Sequence, residues 1–146
     1  MAYTLQAIVA KSEAFSLPLP QGLQVIRLHG GVDMLPLGAQ ALKIHGISFC
    51  ALTGEGEEEL PQTLVKLCER LSKRCVLAYI EAEFFGGAGA QAHVLFSEGK
   101  AVGQPVVSGS AINDALRFLG VAKEEAHDEF DSVGLGQYRD TNEWVA

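Results

Sequence analysis

Two carboxylates set two residues apart on a strand-like run are the clearest source of acid–base chemistry in this chain. In Cys75–Phe85 (CVLAYIEAEFF), strand alternation puts Tyr79, Glu81, Glu83 and Phe85 on one face and Ala78, Ile80, Ala82 and Phe84 on the other. At a rise of about 3.3 Å per residue the two acids stand roughly 6–7 Å apart. Flanked by apolar residues, such a pair can take raised pKa values and act as acid and base, or hold a cation. His93, on the next strand-like run, supplies a third group, so Glu81, Glu83 and His93 form the candidate catalytic set. The same spacing equally describes two acids facing solvent from a half-exposed sheet.

The strand leads into Phe84-Phe85-Gly86-Gly87-Ala88-Gly89-Ala90. Gly86, Gly87 and Gly89 are the candidate ligand-binding residues, because a glycine turn after a strand can present backbone N–H groups to an anion when a helix comes next. Here Gln91 and Ala92 occupy the place of the dinucleotide fingerprint's third glycine, and no Gly-Lys-Ser/Thr ending occurs. The run His93-Val94-Leu95-Phe96 beyond them is strand-like, so a wide hairpin or bulged bend fits the loop better than a phosphate cradle. His29-Gly30-Gly31 has the look of an esterase oxyanion loop but lacks the G-x-S-x-G elbow that chemistry needs. The four histidines form no H-x-x-x-H pair, and Cys50, Cys68 and Cys75 form no C-x-x-C pair. The chain is therefore expected to carry no metal site, no cofactor and no disulfide framework.

The last quarter is the most unusual stretch. From Val121 onward seven acids face only Lys123 and Arg139, so this segment holds five of the seven excess negative charges. Asp128, Asp131, Tyr138, Arg139 and Trp144 mix charge with aromatic surface in the manner of interface hot spots and are the candidate partner-binding residues. Phe130, Leu135, Tyr138 and Trp144 could instead be anchors that pin an irregular tail to the core.

A net charge of −7 argues against nucleic-acid binding, which relies on a basic stripe. No apolar run approaches the 18 residues of a membrane helix, and no basic segment precedes an apolar one at the start. These features, with an unpaired set of cysteines, point to a cytoplasmic protein.

Periodicity supplies the framework that carries these groups. Strands are expected over Tyr3–Ala10, Leu23–Leu28, Ala41–Leu52, Cys75–Phe85, Gln91–Phe96 and Ala101–Val107, the last at an edge because Pro105 cannot donate to a ladder. Leu60, Leu64, Leu67, Cys68 and Leu71 define one helix, with Glu57–Glu59 at its start and Arg70, Lys73 and Arg74 at its end, a polarity that complements the macrodipole. Ser110 caps a second helix carrying Ile112, Ala115, Leu116 and Leu119, closed by Gly120. A further helical turn is expected within 123–131. The pattern reads as one α+β domain over residues 1–146, with an irregular acidic segment from about 121. It should have two layers, a mixed or mainly antiparallel sheet with both main helices on one face.

The Tyr79–Gly87 run, the Ala111–Arg117 helix and Asp128-Glu129-Phe130-Asp131 with Trp144 resemble small bacterial proteins of uncharacterised function. The resemblance covers less than half the chain and implies bacterial origin but no activity. Two functional readings are open. One is an acidic module that binds a basic protein partner, as an inhibitor or immunity-type protein does. The other is a small enzyme or ligand receptor built on Glu81, Glu83 and the glycine loop. A homodimer, packed through a sheet face or the Pro105 edge, is compatible with either.

Overall fold

A strand that is apolar on both faces needs cover on both, and Leu77–Phe85 is such a strand. The computed structural model describes residues 2–85 and 88–145. Six strands, β1 (Ala2–Lys11), β2 (Ile26–Arg27), β3 (Val32–Pro36), β4 (Leu77–Phe85), β5 (Ala88–Ser97) and β6 (Lys100–Val107), form one sheet in the order β2-β3-β1-β4-β5-β6. Every neighbouring pair is antiparallel. Four helices accompany it: α1 (Ala39–His45), α2 (Gln62–Leu71), α3 (Ala111–Phe118) and α4 (Glu129–Val133). The class is thus α+β with an antiparallel sheet.

The layering departs from the sequence expectation. Ala78, Ile80 and Ala82 of β4 join Ile112, Ala115 and Leu116 of α3 in one core. Leu77 and Tyr79 join Leu64, Leu67 and Cys68 of α2 in another. The two main helices therefore lie on opposite faces, and the sheet is the middle of three layers. The uninterrupted burial of β1 from Leu5 to Ala10 and of β4 from Leu77 to Ala82 requires this.

Two strand assignments change. Ala41–Leu52 is not a strand: its first half is α1, and its second half is a chain of turns. Leu42 and Ile44 mimic strand alternation, but Ala, Gln, Leu and Lys favour a helix, and Gly46 at φ +63° closes it in the left-handed conformation. Of Leu23–Leu28 only Ile26–Arg27 pairs. Val32–Pro36, unrecognised by its pattern, is fully buried and pairs with β1. Its Asp33 is tolerated inside because it accepts the Glu13 N–H (2.9 Å) and pairs with Arg27. β6 is an edge strand, and it carries Pro105.

The chain end is packed, not loose. Two short 3₁₀ turns, Leu135–Gln137 and Thr141–Trp144, cross the α3 face. Trp144 is buried in that core and stacks edge-on against Tyr138 (centroids 4.7 Å apart). The Thr4 N–H donates to the Arg139 carbonyl (2.8 Å), and the Thr141 hydroxyl accepts the Gln6 N–H (3.0 Å). Asn142 Oδ1 accepts the Ala39 N–H (2.7 Å) at the start of α1. Among the described residues no helix is long and apolar enough to cross a membrane. Replacing Trp144 by alanine is expected to destabilise the fold by about 3–5 kcal/mol, the usual result of emptying a buried aromatic site. Urea unfolding measures this directly, and a loss below about 0.5 kcal/mol would mark the residue as surface.

Candidate functional site

Glu81 sits in the middle of β4 with no solvent exposure, so its carboxylate must find partners within the chain. It finds them in the turns after α1. Oε1 accepts the Thr53 N–H (2.9 Å), the Thr53 hydroxyl (2.9 Å) and the Leu52 N–H (3.2 Å), and Oε2 accepts the Tyr79 hydroxyl (2.6 Å). Gln6, opposite Glu81 on β1, holds the same segment from the other side. Its Oε1 accepts the Cys50 N–H (3.2 Å) and its Nε2 donates to the Ser48 carbonyl (3.1 Å). Two buried side chains of the central strands thus hold residues 48–53 against the sheet. Cys50 takes φ +41° there, which an L side chain rarely adopts.

This arrangement is structural. Burial, with the neighbouring Glu81 charge next in weight, pushes the Cys50 thiol up to about 12, so it is not a thiolate nucleophile at neutral pH. Burial and Glu81 likewise push the Tyr79 phenol well above its ordinary range. Glu83 is half-buried at the rim, where a Cβ added to Gly54 would lie 3.2 Å from its Oε1 and 3.0 Å from the Cys50 carbonyl. His93 pairs across the ladder with Ile80 and so lies on the other face, under α3. Glu81, Glu83 and His93 therefore do not converge. His93 is 6% exposed, and neither ring nitrogen has a hydrogen-bond partner. Burial lowers its pKa from the ordinary 6.5, with Asp114 opposing.

Gly86 and Gly87 lie outside the described residues. Gly89 is in β5 opposite Phe84, and a Cβ there would collide with the Glu83 carbonyl and the Phe84 ring, so its role is close strand approach. The tail residues divide. Trp144 and the half-buried Tyr138 anchor the chain end. Asp128 caps α4 by accepting the Asp131 N–H (2.9 Å) and also accepts from Asn113 Nδ2 (3.2 Å). Asp131 and Arg139 are exposed. Phe84, Gln91 and Asp128 do meet around a cleft of about 270 Å³, with Tyr3, Asn113 and Phe130. Its polar groups are engaged with one another or with helix ends: Gln91 Oε1 accepts the Ile112 N–H (3.0 Å) at the start of α3, and Asn113 Oδ1 accepts the Phe130 N–H (2.8 Å). Glu81 is on the opposite face of the sheet, so the strand acids and the aromatic tail do not make one working surface. A cleft of about 510 Å³ between Gly22–Gln24, the start of α1 and Asn142 has no titratable side chain in its wall.

A different acidic group emerges in three dimensions. α2 begins at Gln62 after Pro61, with no acid in its first turn. Glu55, Glu57, Glu58 and Glu59 are therefore not helix-terminal charges, since the macrodipole acts only within the first turn. They stand exposed on the loop before the helix, beside a cleft of about 350 Å³ lined by Ser48, Ala51, Glu55, Glu57, Glu59 and Leu60. Among the described residues none of the four takes part in an ion pair. Pro61 was the signal: it excludes the preceding residue from helical backbone, which separates the acids from the helix. Among the described residues no group of three or more His, Cys, Asp or Glu side chains is placed to hold a metal ion. In comparisons with protein-family models, curated proteins and solved structures, nothing matches this chain.

Glu81→Gln is expected to destabilise by about 1–3 kcal/mol, because an NH2 group replaces one of two oxygens that both accept hydrogen bonds here, and the remaining neutral oxygen is a weaker acceptor for the Thr53 and Leu52 donors. Glu83→Gln, at the rim, should change stability by less than about 0.5 kcal/mol, and equal losses in denaturant titrations would contradict this assignment. For His93, the lowered native pKa means that the unfolded chain binds the extra proton first. Stability should then fall as pH drops below about 6.5, an effect absent from His93→Leu. Unfolding of both proteins across about pH 5–8 reads the difference. Parallel curves would show that His93 titrates alike in both states.

Proposed function

We propose that this chain is a protein-binding module whose acidic loop, residues 54–60, receives a basic segment of another protein. The observation that carries this reading is the presence of Glu55, Glu57, Glu58 and Glu59 on one exposed loop, free of ion pairs among the described residues and removed from any helix end they could stabilise. The Gln6 and Glu81 hydrogen bonds support it, since they hold residues 48–53 directly before the acids, and a loop ordered in advance loses less entropy on binding. Phe49, next in sequence to the cleft-lining Ser48, is half exposed and adds apolar surface. Clustered charge of this kind accelerates encounter with a basic partner more than it tightens the complex. Three unpaired thiols suit a reducing bacterial cytoplasm as the place of action.

The test is calorimetric titration of the whole chain with a lysine- and arginine-rich peptide at low and moderate salt. Changing Glu57, Glu58 and Glu59 together to glutamine should weaken binding at least about tenfold. Changing Glu124, Glu125 and Asp131 to their amides removes the same number of charges elsewhere and should leave binding within about twofold, since distant exposed charges are screened. Equal weakening by both variants, or no binding at low salt, would refute the reading.

A further inference from the structure

Basic side chains at the end of a helix ordinarily serve its unpaired carbonyls or a neighbouring acid. At the end of α2 the carbonyls are already taken. The Ser72 N–H donates to Cys68 (2.9 Å) and the Ser72 hydroxyl to Glu69 (3.3 Å). The Cys75 thiol donates to Leu71 (3.3 Å), and the Gly99 N–H, from the turn between β5 and β6, donates to the Ser72 carbonyl (3.2 Å). Arg70, Lys73 and Arg74 are exposed beside these groups, and the last two lie past the helix's final residue. Among the described residues none of the three takes part in an ion pair, not even with Glu69 of the same helix. In a chain with seven more acids than bases, three adjacent cations are thus left without a counter-charge.

The three cations line one cleft of about 240 Å³, and its other wall is the loop after β1, at Ser16, Pro18 and Pro20. Phe15 and Leu19 of that loop pack into the core under α2, so the wall is anchored. No carboxylate lines the cleft, and the exposed Ser16 adds a hydroxyl to it. We infer that this cleft binds a phosphate-bearing anion. Two guanidinium forks suit the bidentate geometry of phosphate oxygens, and the lysine adds a point charge. A phosphate monoester carries about −1.5 to −2 at neutral pH, so one or two phosphate groups balance three cations where a single carboxylate does not. The prolines have no N–H to offer, which leaves recognition to the side chains. A cleft of this volume is smaller than the roughly 300–1,000 Å³ of pockets that enclose a drug-sized ligand, so it would grip the charged group and leave the rest of the molecule outside. The net charge of −7 opposes anion approach at long range, where salt screens it beyond about 8–10 Å, whereas the three cations act at contact. The ten residues of α2 separate this cleft from the acidic loop by about 15 Å, and neither site depends on the other.

Calorimetric titration of the full chain with inorganic pyrophosphate, in metal-free buffer at about 0.15 M salt, tests the inference. The wild type should bind one equivalent with a Kd at or below about 1 mM. Changing Arg70, Lys73 and Arg74 together to glutamine should raise the Kd at least about tenfold. Changing Lys43, Lys123 and Arg139 to glutamine removes the same charge from exposed positions elsewhere and should leave it within about twofold. All six positions are exposed, and circular dichroism shows whether the variants remain folded. Amide chemical shifts should move at Ser16 and over 70–75, and changes spread evenly over the surface cations would mean an adventitious ion only. A parallel arm uses vesicles of phosphatidylcholine with and without phosphatidic acid. If pyrophosphate binds and the acidic vesicles also capture the chain, the phosphate belongs to a lipid head group, and without capture it belongs to a soluble molecule; both results uphold the site. Absence of pyrophosphate binding, or equal weakening by the two triple variants, would overturn it. Failure here leaves basic-peptide binding through Glu57–Glu59 untouched, since that reading is measured with a different probe and different variants.

Discussion

Strands β1 and β4 meet in register over nine residue pairs at the centre of the sheet, and both are apolar on both sides. That pairing is the constraint on which the rest of the architecture depends. Neither face can be left to water, so α1 and α2 cover one, while α3, α4 and the C-terminal turns cover the other. The chain's ends take part in this cover. Residues 138–144 return to β1, which is why the last quarter of the sequence, polar and glycine-containing as it is, has a defined path.

A doubly covered sheet makes any polar side chain in its middle strands expensive unless the chain itself satisfies it. Gln6 and Glu81, paired across β1 and β4, meet that demand by binding the backbone of residues 48–53. Their polarity is used in fixing a segment that has no regular secondary structure of its own. This moves the functional interest from β4 to what β4 holds: a turn-rich loop that leads into four exposed acids. His93 is the contrasting case. It lies inside the α3 face with both nitrogens unpaired, and burial lowers its pKa.

The surface charges of α2 obey the same logic. Acids before a helix and bases after it resemble macrodipole complementation when read along the chain. With the helix bounded by Pro61 and Ser72, only Arg70 falls within a terminal turn. The remaining charges form two groups of opposite sign separated by the helix, the acids beside Ser48 and Leu60 and the bases beside Pro18 and Pro20.

Local periodicity was enough to identify β1, β4, β5, β6, α2 and α3, because each carries a run long enough for its apolar period to dominate, and Pro105 alone placed β6 at an edge. The chain-wise pattern could not separate α1 from a strand, since Leu42 and Ile44 satisfy both periods. It passed over β3, whose five residues include Asp33 and Pro36. Whether Glu81 faced solvent or the core depended on what lay across the sheet, and that is a property of non-local packing. The same holds for Trp144, an interface residue or an anchor on composition alone, which became an anchor only when the chain end crossed the α3 face. Sequence thus determined the elements and the overall balance of charge, because those arise from neighbours along the chain. Tertiary structure decided which polar groups were used up in holding the fold and which were left free, because hydrogen-bond satisfaction is settled between segments that meet only in space.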